Sequence, residues 1–168
     1  MKLTHVLTAC NDKYSRFIPL FIHYWNKFYP EVNPIIIYVG RLPDYYKKYS
    51  EFITEYKSPY GLPSAYVAQT IRLLWPAILN QTGGVLITDI DMIPANSQYF
   101  SVNIQNLDDN LFINYRQGDG SGLNVKQLYM CYNIAPSKIW SDIFNIRNMN
   151  DVNKFLITNF NPEYNSIS

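Results

Sequence analysis

Residues 3–40 read LTHVLTACNDKYSRFIPLFIHYWNKFYPEVNPIIIYVG, which is the pattern of a strand, a helix and a second strand. The first strand is predicted in the apolar run Leu3 to Cys10, and the second in Ile35 to Val39. Asn11 and Asp12 offer N-cap chemistry for the helix between them. Two parallel strands joined by a helix form a βαβ unit, and that helix must pack on one face of the sheet. The helix is predicted from apolar and aromatic residues at helical spacing, namely Tyr14, Phe17, Ile18, Phe21, Tyr24, Trp25 and Phe28.

The middle of the chain continues the alternation of helices and strands. A short helix is predicted over Tyr45–Tyr49 and a third strand over Phe52–Tyr56. A second long helix begins at Ser64, and we expect Pro76 to kink it because proline has no N–H to donate to the preceding turn. A fourth strand is predicted over Val85–Asp91, apolar at its start and acidic at its end.

The C-terminal part is predicted to hold two more strands and two more helices. The strands are expected at 111–116 and 128–135, joined by the loop Gln117–Gly122. Ser137 is expected to cap one helix, and a short further helix is expected over Asp151–Thr158. The chain is therefore predicted to be a single α/β domain over residues 1–168, Rossmann-like, with a mostly parallel sheet flanked by helices.

The composition of the chain argues against some classes of protein function. The 168 residues are 48% hydrophobic with a net charge of +1 and no long basic run, which argues against a nucleic-acid partner. No apolar stretch is long enough to span a membrane, and no signal peptide is recognised, so we expect a cytoplasmic protein. The 15 tyrosines suit contact with the apolar faces of sugars, although ordinary packing explains them equally well.

Two carboxylates mark the end of the fourth predicted strand. Asp89 and Asp91 are separated by one residue, so on a strand their side chains point to the same face. Open α/β sheets bind ligands at the carboxyl ends of their strands. Two adjacent carboxylates there favour a hard divalent cation, Mn²⁺ or Mg²⁺, that would also bind phosphate oxygens. The alternative is a solvated strand end, because a D-x-D pattern alone is common.

The sequence around these acids resembles a known family. The segment Ser64–Pro76 (SAYVAQTIRLLWP) followed by Gly84–Pro94 (GVLITDIDMIP) looks like the helix and D-x-D strand of GT-A glycosyltransferases, which use nucleotide-diphosphate-sugar donors. Leu7–Tyr14 (LTACNDKY) resembles their first strand and turn. Beyond Pro94 the resemblance weakens to Met130–Ala135, placed where the family has its acceptor-side strand.

The resemblance implies a role for each matching residue. Asp91 would be the main metal ligand, and Asp89 would contact the ribose or the metal. Arg72 would lie against the diphosphate or the sugar, with Gln69 beside it. A helix-surface position remains open for Arg72, and a place in the core stripe for Tyr14. The residues that would line the nucleotide pocket are Ala9, Cys10, Asn11 and Tyr14.

Two departures from the family pattern matter. Some members take a histidine metal ligand from a C-terminal segment, whereas this sequence has only His5 and His23, so no histidine is assigned to the metal. The sequence is also short, as either a minimal family member or a fragment of a longer protein. Asp119 and Asp142 are the nearest candidates for a catalytic base, but each is equally well explained as a turn or helix-surface residue.

The leading hypothesis is therefore transfer of a sugar from a UDP- or GDP-sugar to a saccharide or protein acceptor. A sugar nucleotidyltransferase is disfavoured because it would need a glycine-rich basic loop after the first strand, and Asn11–Tyr14 contains one lysine and no glycine. A non-catalytic binder of nucleotide-sugars or carbohydrate remains the alternative from another functional class.

Overall fold

The structure is a computed structural model that describes residues 1–115 and 129–162. The loop Gln117–Gly122 with Asp119, the start of the strand expected at 128–135, and residues 163–168 lie outside the described residues.

A single six-stranded sheet organises the described chain. Its spatial order is β3-β2-β1-β4-β6-β5; β1, β2, β3 and β4 run parallel, and β6 runs antiparallel to both β4 and β5. This confirms the predicted α/β class with a mostly parallel sheet. The strands are β1 (Leu3–Cys10), β2 (Asn33–Val39), β3 (Ile53–Tyr56), β4 (Gly84–Ile87), β5 (Ile113–Asn114) and β6 (Asn133–Ala135).

Four α-helices and four 3₁₀ helices occur among the described residues. The second α-helix ends at Leu74, and the chain continues through Pro76 as a 3₁₀ helix, so the expected kink takes the form of a change in helix type. The α-helices are α1 (Ile18–Phe28), α2 (Ser64–Leu74), α3 (Ser137–Phe144) and α4 (Met149–Thr158). The 3₁₀ helices are Asp12–Phe17, Asp44–Phe52, Pro59–Gly61 and Trp75–Ile78.

Two apolar layers cover the two faces of the sheet. Val6 and Cys10 of β1 face the layer that contains α1, and Leu7 and Ala9 face the layer that contains α2, α3 and α4. Because both faces are covered, β2 (NPIIIYV) and β4 (GVLI) are apolar at nearly every position, as buried parallel strands usually are. This is why β2 could be recognised from the sequence as an apolar run, and β1 as a run that is apolar at most positions.

Several predicted boundaries were wrong. The fourth strand ends at Ile87, four residues before Asp91, and the last two strands have only two and three residues. Asn11 stands at the N-cap of the 3₁₀ helix Asp12–Phe17 but makes no capping hydrogen bond with its side chain. Pro136 occupies the N-cap of α3, while the Ser137 hydroxyl accepts a hydrogen bond from the Gln81 N–H at 2.9 Å.

The start of α4 shows a signal that sequence analysis missed. The Asn148 side chain accepts hydrogen bonds from the backbone N–H groups of Asn150 and Asp151, and the Asp151 carboxylate accepts one from the Asn148 N–H. This reciprocal arrangement is a capping box. It places the start of α4 at Met149, two residues before the predicted position.

Within the described residues, no helix is both long and apolar enough to cross a membrane.

Candidate functional site

The strand order places a crevice at one edge of the sheet. From β1 the chain crosses to β2 and β3 on one side, whereas β4 lies on the other side of β1. The carboxyl ends of β1 and β4 therefore meet at a topological switch point, which is where open α/β sheets bind ligands. Cys10 ends β1 and Asp89 follows β4, so both lie at this edge.

A cavity of about 300 Å³ lies at this switch point. Its walls come from the end of β1 and the 3₁₀ helix that follows it, from one face of α2, and from the segment after β4. Every residue that the sequence assigned to the site lines this cavity. The complete lining is Ala9, Cys10, Asn11, Tyr14, Ala65, Ala68, Gln69, Arg72, Asp89, Ile90, Asp91 and Met92.

The two aspartates reach the cavity in a different way from the one predicted. Because β4 ends at Ile87, the alternation of strand side chains cannot place Asp89 and Asp91 on one face. They belong instead to a turn in which the Met92 N–H donates to the Asp89 carbonyl at 3.1 Å. Asp91 is exposed, and the Asp89 side chain is 30% exposed, so both carboxylates are accessible from solvent.

Arg72 is the buried cation of the site. Its side chain is 10% exposed and forms an ion pair with the Asp89 carboxylate through Nη1, which also lies 3.5 Å from the Thr88 carbonyl. Burial lowers the pKa of Arg72, while Cys131 and the Asp91 carboxylate act in the opposite direction. An arginine remains protonated under such conditions. The helix-surface alternative for Arg72 is therefore wrong.

The Arg72 guanidinium is not fully used by the described residues. Its Nε is buried and has no hydrogen-bond partner within the described chain. A buried donor without a partner is costly, and such groups are uncommon in folded proteins. This nitrogen has almost no solvent-exposed surface, so it would donate to an incoming anion only after the guanidinium moves.

Asn11 links the end of β1 to the start of α2. Its side-chain Nδ2 donates to the Ser64 hydroxyl at 3.1 Å. Its Oδ1 is buried and has no partner within the described chain. The residues that line the cavity thus include one buried, unsatisfied acceptor at Asn11 and one buried, unsatisfied donor at Arg72. The Tyr14 ring nearby is 40% exposed, so it is not a buried member of the core stripe.

Cys10 contributes shape and not reactivity. It is 2% exposed, and burial raises the pKa of its thiol to about 12. The thiolate is the nucleophilic form of cysteine, so this side chain stays protonated and inert near neutral pH. This agrees with its interpretation as a small residue at a strand end.

The side chains of this cavity could hold a divalent metal only if phosphate and water oxygens completed its coordination. No group of three or more His, Cys, Asp and Glu side chains within 1–115 and 129–162 could hold a metal. The Asp89 and Asp91 carboxylates face one cavity and can supply part of the coordination. Mg²⁺ sites commonly use one or two carboxylates and complete the shell with phosphate and water oxygens.

Sequence analysis missed the residues that make room in the cavity. Ala65 and Ala68 lie on the face of α2 that also carries Gln69 and Arg72. Counted from Ala65, the other three residues follow at three, four and seven positions, which is the spacing of one helical face. Two alanines on that face were the available signal that the helix leaves space there for a ligand.

Asp142 is not near this cavity. It lies on α3, where Lys138 and Arg147 both form ion pairs with it. It lines a separate cavity with Asn80, Gln81 and Thr82, which precede β4 at the opposite edge of the sheet. The hydrogen bond from Lys138 lowers the pKa of Asp142. Its position at the opposite edge of the sheet removes it from the candidates for a base at the switch-point cavity.

Comparisons with known proteins give structural matches only. No family model matches the chain, and no curated protein matches it in sequence. The chain is similar to the crystal structure of galactosyltransferase LgtC in complex with donor and acceptor sugar analogs, with a TM-score of 0.52 and 10% identity, covering 92% of this chain and 70% of that one. The structure of an active-site mutant of LgtC is similar with a TM-score of 0.51 and 11% identity, and it has the same coverage. Identity this low shows the fold alone, and the chain has the fold of the GT-A glycosyltransferases.

Proposed function

We propose that the protein is a glycosyltransferase that moves a sugar from a UDP- or GDP-sugar to a saccharide or protein acceptor with the help of Mn²⁺ or Mg²⁺. The observation that carries this proposal is the composition of the switch-point cavity. It is lined by a buried arginine, two aspartates and an asparagine whose buried amide oxygen has no partner among the described residues, on a fold shared with glycosyltransferases of known structure.

The unsatisfied groups match the chemistry of a nucleotide-diphosphate-sugar. Once the Asn11 side chain turns to expose Oδ1, this oxygen would accept an N–H from the nucleotide base, and the exposed face of Tyr14 would pack against the base or ribose. Arg72 would donate through Nε to a diphosphate oxygen, because a guanidinium presents five N–H groups to phosphate or carboxylate oxygens. Gln69, one turn earlier on α2, would orient the sugar.

The carboxylates would supply the metal ligands. Asp91 is the better placed of the two because Asp89 shares its charge with Arg72. When bound, a divalent ion neutralises the charge that develops on the leaving diphosphate. The chain itself would contribute positioning and a preorganised cation, which are the main contributions of proteins in transfers of this kind.

Non-catalytic binding of a nucleotide-sugar is the second candidate. Asp89 and Asp91 are the only carboxylates among the described residues that line the cavity, so the described residues offer no separate general base. A sugar nucleotidyltransferase is less well supported. A 3₁₀ helix, Asp12–Phe17, follows β1 in place of a glycine-rich loop that could wrap a triphosphate.

Release of free nucleotide tests the proposal. Purified protein with Mn²⁺ is incubated with a panel of UDP- and GDP-sugars, and released UDP or GDP is measured by coupled assay. We expect slow release from at least one donor, since many transferases also pass the sugar to water. Tight donor binding without any release, with and without saccharide acceptors, would favour the non-catalytic binder. Absence of both binding and release would refute the proposed function.

A further inference from the structure

The Arg72–Asp89 ion pair sits where the proposed metal would compete for the same carboxylate. Arg72 Nη1 contacts the Asp89 carboxylate directly, and Asp91 lines the same cavity. The arginine therefore already neutralises part of the charge that a divalent cation would neutralise.

We infer that Arg72 is a positioning residue for Asp89: it holds this carboxylate until a diphosphate arrives, then turns toward the phosphate and releases Asp89 to the metal. This inference rests on the proposed function. Its consequence is that the metal and the diphosphate bind cooperatively, each much more tightly in the presence of the other.

The charges of the site support this order of events. Asp89, Asp91 and Arg72 sum to a charge of −1, which is little attraction for a divalent ion. A metal bound alone would bring the site to +1 and would have to break the Arg72–Asp89 pair within a partly buried environment. A diphosphate supplies a new partner for Arg72, including its unsatisfied Nε, and negative charge for the metal. Opposite charges brought together in this way lower the cost of binding both.

The test measures Mn²⁺ binding by electron paramagnetic resonance of free Mn²⁺, and UDP binding by calorimetry with and without Mn²⁺. Without nucleotide, Arg72→Gln should bind Mn²⁺ about fivefold or more tightly than wild type, because couplings of this kind are typically about 5–150-fold. Arg72→Lys, which keeps the charge, should stay near the wild-type value. Arg41→Gln removes the same charge from an exposed arginine after β2 and serves as the matched control.

The ratio of UDP affinities with and without Mn²⁺ distinguishes a positioning role of Arg72 from a merely structural one. Arg72→Gln should reduce this ratio, whereas a merely structural role would weaken UDP binding equally under both conditions. Asp91→Asn lacks the main proposed metal ligand and serves as the reference. Any effect of Mn²⁺ on its UDP affinity arises only from metal–UDP complexes in solution.

Asp89→Asn keeps the inference testable if Arg72→Gln fails to fold. This variant should weaken Mn²⁺ binding without nucleotide less than Asp91→Asn does, and it should lose most of the coupling to UDP. The inference is overturned if Asp89→Asn weakens binding of Mn²⁺ alone as much as Asp91→Asn does. It is also overturned if wild type binds UDP with Mn²⁺ while Arg72→Gln leaves both the Mn²⁺ affinity and the ratio unchanged. A wild-type protein that binds no UDP under any condition contradicts the proposed function itself.

Discussion

Replacing Asn11 with alanine should stabilise the ligand-free protein and weaken nucleotide binding at the same time. The Asn11 Oδ1 is a buried acceptor without a partner in the described chain, and such a group costs about 1–3 kcal/mol. Alanine removes that cost. It also removes the hydrogen bond from Nδ2 to the Ser64 hydroxyl, which contributes about 0.5–1.5 kcal/mol.

The loss should lie at the low end of that range because Ser64 is exposed and water can replace its partner. No helix cap is lost, since the Asn11 side chain makes no capping hydrogen bond. The balance is a gain of about 1 kcal/mol, or a rise in Tm of about 2–4 °C for a chain of this size. With the acceptor for the base removed, UDP affinity should fall about tenfold, or about 1.4 kcal/mol.

Urea and thermal unfolding measure the first effect, and calorimetric titration with UDP and Mn²⁺ measures the second. Ser64→Ala is the matched control, because it removes the same hydrogen bond and leaves the Asn11 oxygen in place. It should lower stability slightly, without the gain seen for Asn11→Ala. The reasoning is refuted if Asn11→Ala loses more than about 1 kcal/mol of stability, which would mean that Oδ1 is satisfied in solution, or if its UDP affinity is unchanged.

Three further predictions concern the cavity, its thiol and the C-terminal helix. Ala65→Leu adds bulk to an exposed cavity-lining position and should change stability by less than about 0.5 kcal/mol while reducing UDP affinity at least roughly tenfold in calorimetry. Burial raises the pKa of Cys10 from 9.0 to about 12. The contribution of its protonated thiol to stability is therefore complete below pH 9 and is lost as the pH rises toward 12. Urea unfolding of Cys10→Ala should show a smaller decline in the free energy of unfolding over that interval. Asn148→Ala removes the capping box of α4 and should cost about 1 kcal/mol in the same assay, and an unchanged midpoint would show that the cap contributes nothing.

The βαβ unit and the helix α2 could be predicted because their signals are local. β1 was predicted with the bounds that the structure shows, Leu3–Cys10, since a parallel strand buried on both faces is rich in apolar residues. The start of α2 at Ser64 follows a loop with two prolines and a glycine. The short strands β5 and β6 could not be bounded, because their limits depend on the pairing of β6 with β4 and of β5 with β6 and not on their own composition.

The membership of the site was easier to predict than its geometry. The resemblance to GT-A glycosyltransferases named residues that the structure brings to one cavity. The resemblance could not indicate that β4 ends at Ile87. The Thr88 N–H still donates to the Leu7 carbonyl at 3.1 Å, and only the following residues leave the sheet. The Arg72–Asp89 pair was also out of reach, since it depends on where the packing of α2 against β1 and β2 brings its last turn relative to the segment after β4.

The central claim is that Asp91 and a divalent ion together hold a nucleotide diphosphate in the switch-point cavity. Thermal unfolding with Mn²⁺ and a UDP-sugar tests it most directly. At about 100 times Kd a ligand stabilises the native state by about 2.7 kcal/mol, which predicts a rise in Tm of about 5–10 °C for wild type. Asp44→Ala, a control at another exposed aspartate, should show the same rise. Asp91→Ala should lose the metal-dependent part of the rise. An equal metal-dependent rise in Asp91→Ala, or none in wild type, would contradict the account.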